Sequence, residues 1–257
     1  PTAVDHLLRQ LTTWASSSAW VDWLEVGGSL GRDAGDEWSD IDAGIGVVED
    51  GVPIADRVAA ARAAARGFAP VADSIVQDLG GRPHLIVVFE DGRQLSLVVT
   101  PGTTRDGLPP QSKALLDRSD RLATALSGSR WAPTTEQLRE WSFEAWICVG
   151  DATRHAVRGH PWRALRSLTE ARDFAWQLWA ASQRVTYPQF GAVSVENAGL
   201  SGPTGMERTL PGTLAAPHVL KSARELSDIL STLTAAHGVD GVERVVRARI
   251  VALETVK

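Results

Sequence analysis

Two apolar runs, residues 21–26 (Val-Asp-Trp-Leu-Glu-Val) and 41–48 (Ile-Asp-Ala-Gly-Ile-Gly-Val-Val), bracket the feature that most constrains this chain. Between them lie Gly27, Gly28 and Ser29, and after ten intervening residues come Asp40, Ile41 and Asp42. Side chains alternate faces along a strand, so Asp40 and Asp42 project to one side while Ile41 enters a core. Paired carboxylates suit Mg²⁺, which completes its shell with water and substrate phosphate oxygens. Gly28 and Ser29 supply a complementary half: glycine lets backbone N–H groups approach a phosphate closely, and serine adds a hydroxyl donor. A Gly-Ser turn alone is ordinarily a plain loop, and an Asp-x-Asp alone is ordinarily a solvated strand end. Their combination, each part abutting an apolar strand, points to a phosphate site with a bound cation.

Around this motif the periodicities describe an α/β region. Val4, Leu7, Leu8, Leu11 and Trp14 follow helical spacing and predict an amphipathic helix over 4–15. Residues 54–67 predict a helix closed by Gly67, and 68–76 a weaker strand. The runs 83–89 and 93–99 flank Glu90-Asp91-Gly92 and predict a hairpin. A mixed sheet of four or five strands follows. From Thr134, paired with Gln137 in a capping-box pattern, the pattern turns wholly helical. A helix is expected to about Arg158, a second over 162–182 after Gly159 and Pro161, and two more over 219–236 and 242–255. The tryptophans from Trp131 to Trp179 are expected to be buried between these helices. The glycine- and proline-rich segment 187–217 reads as a long irregular stretch suited to a lid. The fold class is therefore α+β, a mixed-sheet domain over 1–133 followed by an all-α bundle over 134–257.

Composition narrows the function. The net charge of −5 divides into −6 over residues 1–133 and +1 over 134–257, so no broad basic face exists for duplex nucleic acid. No apolar run approaches the ~20 residues of a membrane helix, and no basic-then-apolar leader is seen; a cytoplasmic protein is expected. The single cysteine, Cys148, excludes an intrachain disulfide and a multi-cysteine zinc site.

The pattern Gly28-Ser29, ten residues, Asp40-Ile41-Asp42 resembles the signature of the DNA polymerase β-like nucleotidyltransferase superfamily. Gly31-Arg32-Asp33 and Trp38-Ser39 are most similar to the aminoglycoside and lincosamide nucleotidyltransferase branch. The resemblance implies a Mg²⁺-dependent transfer of a nucleoside monophosphate, AMP for preference, from ATP or another NTP to a hydroxyl of a small molecule. It implies Asp40 and Asp42 as metal ligands and Gly28, Ser29, Arg32 and Ser39 as nucleotide contacts. Arg32 serves equally well, on residue chemistry alone, as a phosphate ligand or as an ion-pair partner of Asp33 or Asp36. The stretch 113–122 resembles the end of the family's catalytic domain, where a short strand ending in aspartate leads into a helix.

One position departs from the family. Alternation along Gln94-Leu95-Ser96-Leu97-Val98 puts Ser96 where the superfamily carries a third carboxylate. A helical-domain acid acting as general base would compensate, as in some antibiotic nucleotidyltransferases. Glu144 and Asp151, seven apart on the first long helix and so nearly on one face, are the candidates; a solvated acidic stripe is the plainer account of both. The departure also admits a degenerate, non-catalytic nucleotide- or partner-binding module, and a toxin–antitoxin type enzyme that modifies protein is a third option. Nothing in the sequence specifies the oligomeric state.

Overall fold

A computed structural model describes residues 2–255. The chain divides into two compact units, Pro1–Ser127 and Gly128–Lys257.

The first unit runs α1 (Ala3–Ser17), β1 (Val21–Val26), α2 (Gly28–Gly31), β2 (Ile41–Val47), α3 (Ile54–Ala65), β3 (Val71–Asp78), β4 (Pro83–Phe89), β5 (Gln94–Pro101) and β6 (Lys113–Asp117). Its sheet has six strands rather than four or five, in the order β3-β4-β5-β2-β1-β6. The extra strand is β6, short and half-buried, which pairs antiparallel with β1. Only β2 and β5 are parallel, and β4 and β5 form the expected hairpin. Alternation sorts the sheet into two faces. Leu24, Val26, Ile41, Ala43, Ile45, Leu85, Val87, Leu95, Leu97 and Val99 share one core with Leu7 and Leu11 of α1 and Val58 and Ala61 of α3. Each such leucine contributes ~1.5–3 kcal/mol by leaving water. The intervening residues, among them Asp42, Ser96 and His84, look the other way.

After β6 the expected helix is absent. The two carboxylate oxygens of Asp117 accept the backbone N–H groups of Arg121 (2.9 Å) and Leu122 (2.8 Å), closing a turn instead. An aspartate satisfying local backbone donors in this way competes with helix formation.

The second unit comprises α4 (Thr135–Val157), α5 (Pro161–Ser182), α6 (Ala192–Asn197), α7 (Ala216–Thr234) and α8 (Asp240–Thr255). Thr134 and Gln137 make the reciprocal capping box. Ala145, Val149, Ala152 and Ala156 of α4 share a core with Ala164, Leu168, Ala171 and Ala175 of α5, and the alanines among them permit close helix approach. Trp146, fully buried, donates its indole N–H to Thr234 at 3.1 Å. Trp162 departs from expectation: it is 73% exposed. The segment after Tyr187 is not a loose lid. Trp179 donates to the Ser201 carbonyl (3.0 Å), Arg172 to the Thr209 carbonyl (2.9 Å), and Val195 and Met206 are buried. Its glycines serve packing: a Cβ on Gly202 would lie 2.1 Å from the Trp176 ring. Among the described residues no helix is long and apolar enough to cross a membrane.

Candidate functional site

The sheet face turned away from α1 and α3 carries polar side chains from four adjacent strands. Glu25 on β1, Asp42 on β2, Ser96 on β5 and His84 on β4, with Arg105 and Ser112, line a cavity of about 350 Å³.

The motif folds so that its halves touch. β1 ends at Val26, and the Gly27 N–H donates to the Asp42 carbonyl at 2.8 Å. Gly28 has φ of +60°, and a Cβ built on it would lie 2.5 Å from Asp42 Oδ2. Only glycine meets both demands, since the left-handed region penalises a side chain and the space is already filled by the carboxylate. Ser29 donates its hydroxyl to Ser39 at 2.9 Å, and Ser39 donates to Asp36 Oδ1 at 3.0 Å. This relay ties the turn after β1 to the residue before Asp40, fixing the loop between the glycines and the aspartates. Asp33 is held by Lys113, and the Arg32 charge is felt at Asp42.

Asp42 is where the electrostatics concentrate. Burial pushes its carboxyl above the usual range and the neighbouring charge of Asp40 pushes the same way; a hydrogen bond from Ser96 and the charges of His84 and Arg32 pull it back. Two mutually repelling carboxylates, that of Asp42 partly desolvated, are the arrangement a divalent cation relieves. No cluster of three or more His, Cys, Asp or Glu suited to a metal exists among the described residues. The donor set is a carboxylate pair, which fits an ion that draws its remaining ligands from phosphate and water.

Ser96 stands directly opposite Asp42 in the parallel β2–β5 ladder. Its hydroxyl lies 2.7 Å from His84 Nε2. His84 was missed in the sequence, although it has the same parity as the outward positions of its strand, with Leu85 and Val87 pointing to the core. Glu25 and Arg105 were missed as well. Glu25 is 6% exposed on the open face and forms an ion pair with Arg105, whose Nε donates to it at 3.0 Å. Burial raises the Glu25 carboxyl and the Arg105 pairing opposes that rise. The signal for Glu25 was present: alternation with Leu24 and Val26 puts it on the side of Asp42, and diagonal neighbours on paired strands lie ~7–8 Å apart. Arg105, in an irregular segment, offered none.

In the helical unit, Glu144 and Asp151 lie on one side of α4 beside Cys148. Burial first, then the charges of Glu170, Glu144 and Asp151, push the Cys148 thiol up to about 11. Asp151 is ion-paired with Arg154 at 2.7 Å. Glu144 is exposed, and its side chain makes no hydrogen bond or ion pair among the described residues.

No protein-family model and no curated protein matches the chain. Among solved structures it is similar to an aminoglycoside 6-adenyltransferase from Bacillus subtilis, at 14% identity over 97% of both chains with a TM-score of 0.39. It is also similar to a nucleotidyltransferase-like protein from Exiguobacterium sibiricum 255-15, at 14% identity over 91% of this chain and 77% of the other, with a TM-score of 0.42. Likeness of this degree transfers no residue role and no substrate.

Proposed function

We propose that this chain is a Mg²⁺-dependent nucleotidyltransferase that moves a nucleoside monophosphate, AMP for preference, from a nucleoside triphosphate to a hydroxyl of a small molecule. The acceptor class is an aminoglycoside or lincosamide antibiotic, with residues 1–133 catalytic and 134–257 holding the acceptor. One observation carries the reading: the Gly28 turn lies against the carboxylate of Asp42, so a triphosphate cradled by the turn would meet the Asp40–Asp42 pair.

In this reading Gly28, Ser29, Arg32 and Ser39 bind the triphosphate, and Asp40 and Asp42 hold the cation. Held by Asp40 and Asp42, such an ion would supply positive charge to the phosphates. The acceptor oxygen attacks the α-phosphorus in line, the bond to the bridging α–β oxygen breaks, and pyrophosphate leaves. The acceptor's proton passes to a general base, for which Glu144 is the candidate over Asp151 because the latter is held by Arg154. Carboxylates gathered near Cys148 favour an acceptor bearing amino groups.

The test is turnover. ATP, Mg²⁺ and a panel of hydroxyl-bearing antibiotics should yield pyrophosphate and a nucleotidylated product by mass spectrometry. Asp40→Ala and Asp42→Ala should each abolish Mg²⁺-dependent triphosphate binding. Unchanged affinity in both would overturn the site. Binding without turnover on any acceptor would favour the non-catalytic module, the reading that the neutral Ser96 supports; a labelled protein in place of a labelled antibiotic would favour the protein-modifying one.

A further inference from the structure

Nothing in the proposed reaction uses His84, yet it is joined to the reacting centre through one atom. β4 and β5 pair antiparallel, with His84 opposite Val98 and Ile86 opposite Ser96. β5 and β2 pair in parallel, with Ser96 opposite Asp42. The three side chains therefore emerge on the same open face of three adjacent strands, while Ile41, Leu85, Leu95 and Leu97 fill the core beneath. The His84 Nε2 to Ser96 Oγ distance is 2.7 Å, and Ser96 faces Asp42 across the ladder, both side chains lining the same cavity.

A serine hydroxyl has one hydrogen and two lone pairs. A carboxylate only accepts, so a Ser96 that bonds to Asp42 gives its hydrogen to it. Its oxygen is then left to accept, and His84 must carry a hydrogen on Nε2 to donate to it. A relay through Ser96 to Asp42 therefore runs in one direction, from His84 to Ser96 to Asp42.

We propose that His84 is a positioning residue. Acting through Ser96, it locks the Asp42 carboxylate in the orientation that receives the cation, and the pair Ser96–His84 takes the place of a third carboxylate. This rests on the nucleotidyltransferase reading and extends it. A third acid would bind an ion but would also repel Asp40 and Asp42 when no ion is present. The neutral relay avoids that repulsion and still removes the rotational freedom of Asp42, whose other side is closed by Gly28. Glu25 cannot substitute, because its carboxylate is held by Arg105.

The experiment measures affinity for a non-hydrolysable triphosphate by calorimetry, with Mg²⁺ and with EDTA, in wild type, Asp42→Ala, Ser96→Ala, His84→Phe and His84→Gln. Ser96→Ala removes a charge-assisted bond and should weaken Mg²⁺-dependent binding about tenfold. His84→Phe should weaken it about three- to tenfold. His84→Gln can offer an amide N–H in place of Nε2–H and should stay within about twofold of wild type. Binding in EDTA should be equal in wild type, Ser96→Ala and the two His84 variants, and no weaker in Asp42→Ala, which loses a charge that repels the triphosphate. Melts in EDTA check folding, and if His84→Phe is unstable, Ser96→Ala decides the matter, since it deletes only one oxygen. If Asp42→Ala loses Mg²⁺-dependent binding while Ser96→Ala and His84→Phe keep it, the relay is overturned and the functional reading stands. If wild type binds no triphosphate with Mg²⁺, both fall. If His84→Gln binds as poorly as His84→Phe, a donated hydrogen does not restore binding, and the relay is again overturned.

Discussion

Two pairs of acids, each put on one face by its spacing, end up in opposite physical situations. Asp40 and Asp42 lie two apart at the start of β2, within ~7 Å along the strand. Asp42 is partly desolvated at its carboxyl, pressed by Asp40, backed by Gly28 and faced by Ser96 across the ladder. Glu144 and Asp151 lie seven apart on α4, about 10 Å along the axis. Asp151 is paired with Arg154 and Glu144 stands in solvent. A strand flanked by neighbours concentrates charge until it calls for a counter-ion, whereas a helix surface lets water and arginines dissipate it. The first pair therefore suits a cation, and the second suits at most one acid acting alone.

Breaking the first region should have the largest effect. In Gly28→Ala the new methyl must move a carboxylate 2.5 Å away while the backbone stays left-handed. We expect Mg²⁺-dependent triphosphate binding to disappear in calorimetry and stability to fall by ~1–3 kcal/mol in denaturant melts. Wild-type binding in this variant would mean that the turn and Asp42 are independent. Next comes the second region. If Glu144 is the base, Glu144→Ala should lower kcat by ~10²–10⁴-fold with nucleotide affinity unchanged, while Asp151→Ala should leave kcat within about threefold. Equal, wild-type rates in both would return Glu144 to the solvated stripe.

The same contrast explains what was legible in the sequence. The alternation of Ile41 and Leu95 against Asp42 and Ser96 was readable because strand periodicity is strict, and the parallel ladder then set Ser96 opposite Asp42. Thr134 and Gln137 announced α4 through local hydrogen bonds that depend on nothing distant. His84 and Arg105 were not legible as site residues, because their partners Ser96 and Glu25 lie 12 and 80 residues away and only the sheet joins them. The helix expected after Asp117 failed for a local reason, the competing acceptance of two backbone donors by its side chain. The segment 187–217 read as a loose stretch since its order comes from Arg172 and Trp179 on another helix.

Cys148 gives a gentler probe of the helical face. Its thiol titrates at about 11 instead of 9.0, so at pH 8 its thiolate fraction is roughly a hundredfold below that of an ordinary cysteine. Iodoacetamide should therefore react slowly at pH 8 and speed up only as the pH rises towards 11. Burial is the first cause and the carboxylates come after it, so Glu170→Gln or Glu144→Gln should quicken the reaction only a few-fold. A rate typical of a free thiol at pH 8 would mean that neither burial nor the acids shield it.

The smallest effect should come from Arg154. It pairs with Asp151 at i, i+3 on a partly exposed face, a contact worth ~0.3–0.5 kcal/mol. Its Nε, however, is buried with no hydrogen-bond partner among the described residues, and an unsatisfied buried donor carries a cost of its own. Replacing the side chain by a methionine keeps the apolar stem, removes the pair and removes the orphaned donor together. The two changes oppose each other, so Arg154→Met should alter stability by less than ~0.5 kcal/mol and shift the melting temperature by about a degree or two. Turnover should also stay at the wild-type rate, because releasing Asp151 frees an acid that takes no part in the reaction. A rate that rises when Asp151 is unpaired, and falls again in Arg154→Met with Asp151→Ala, would transfer the role of base from Glu144 to Asp151 and dissolve the distinction between the two.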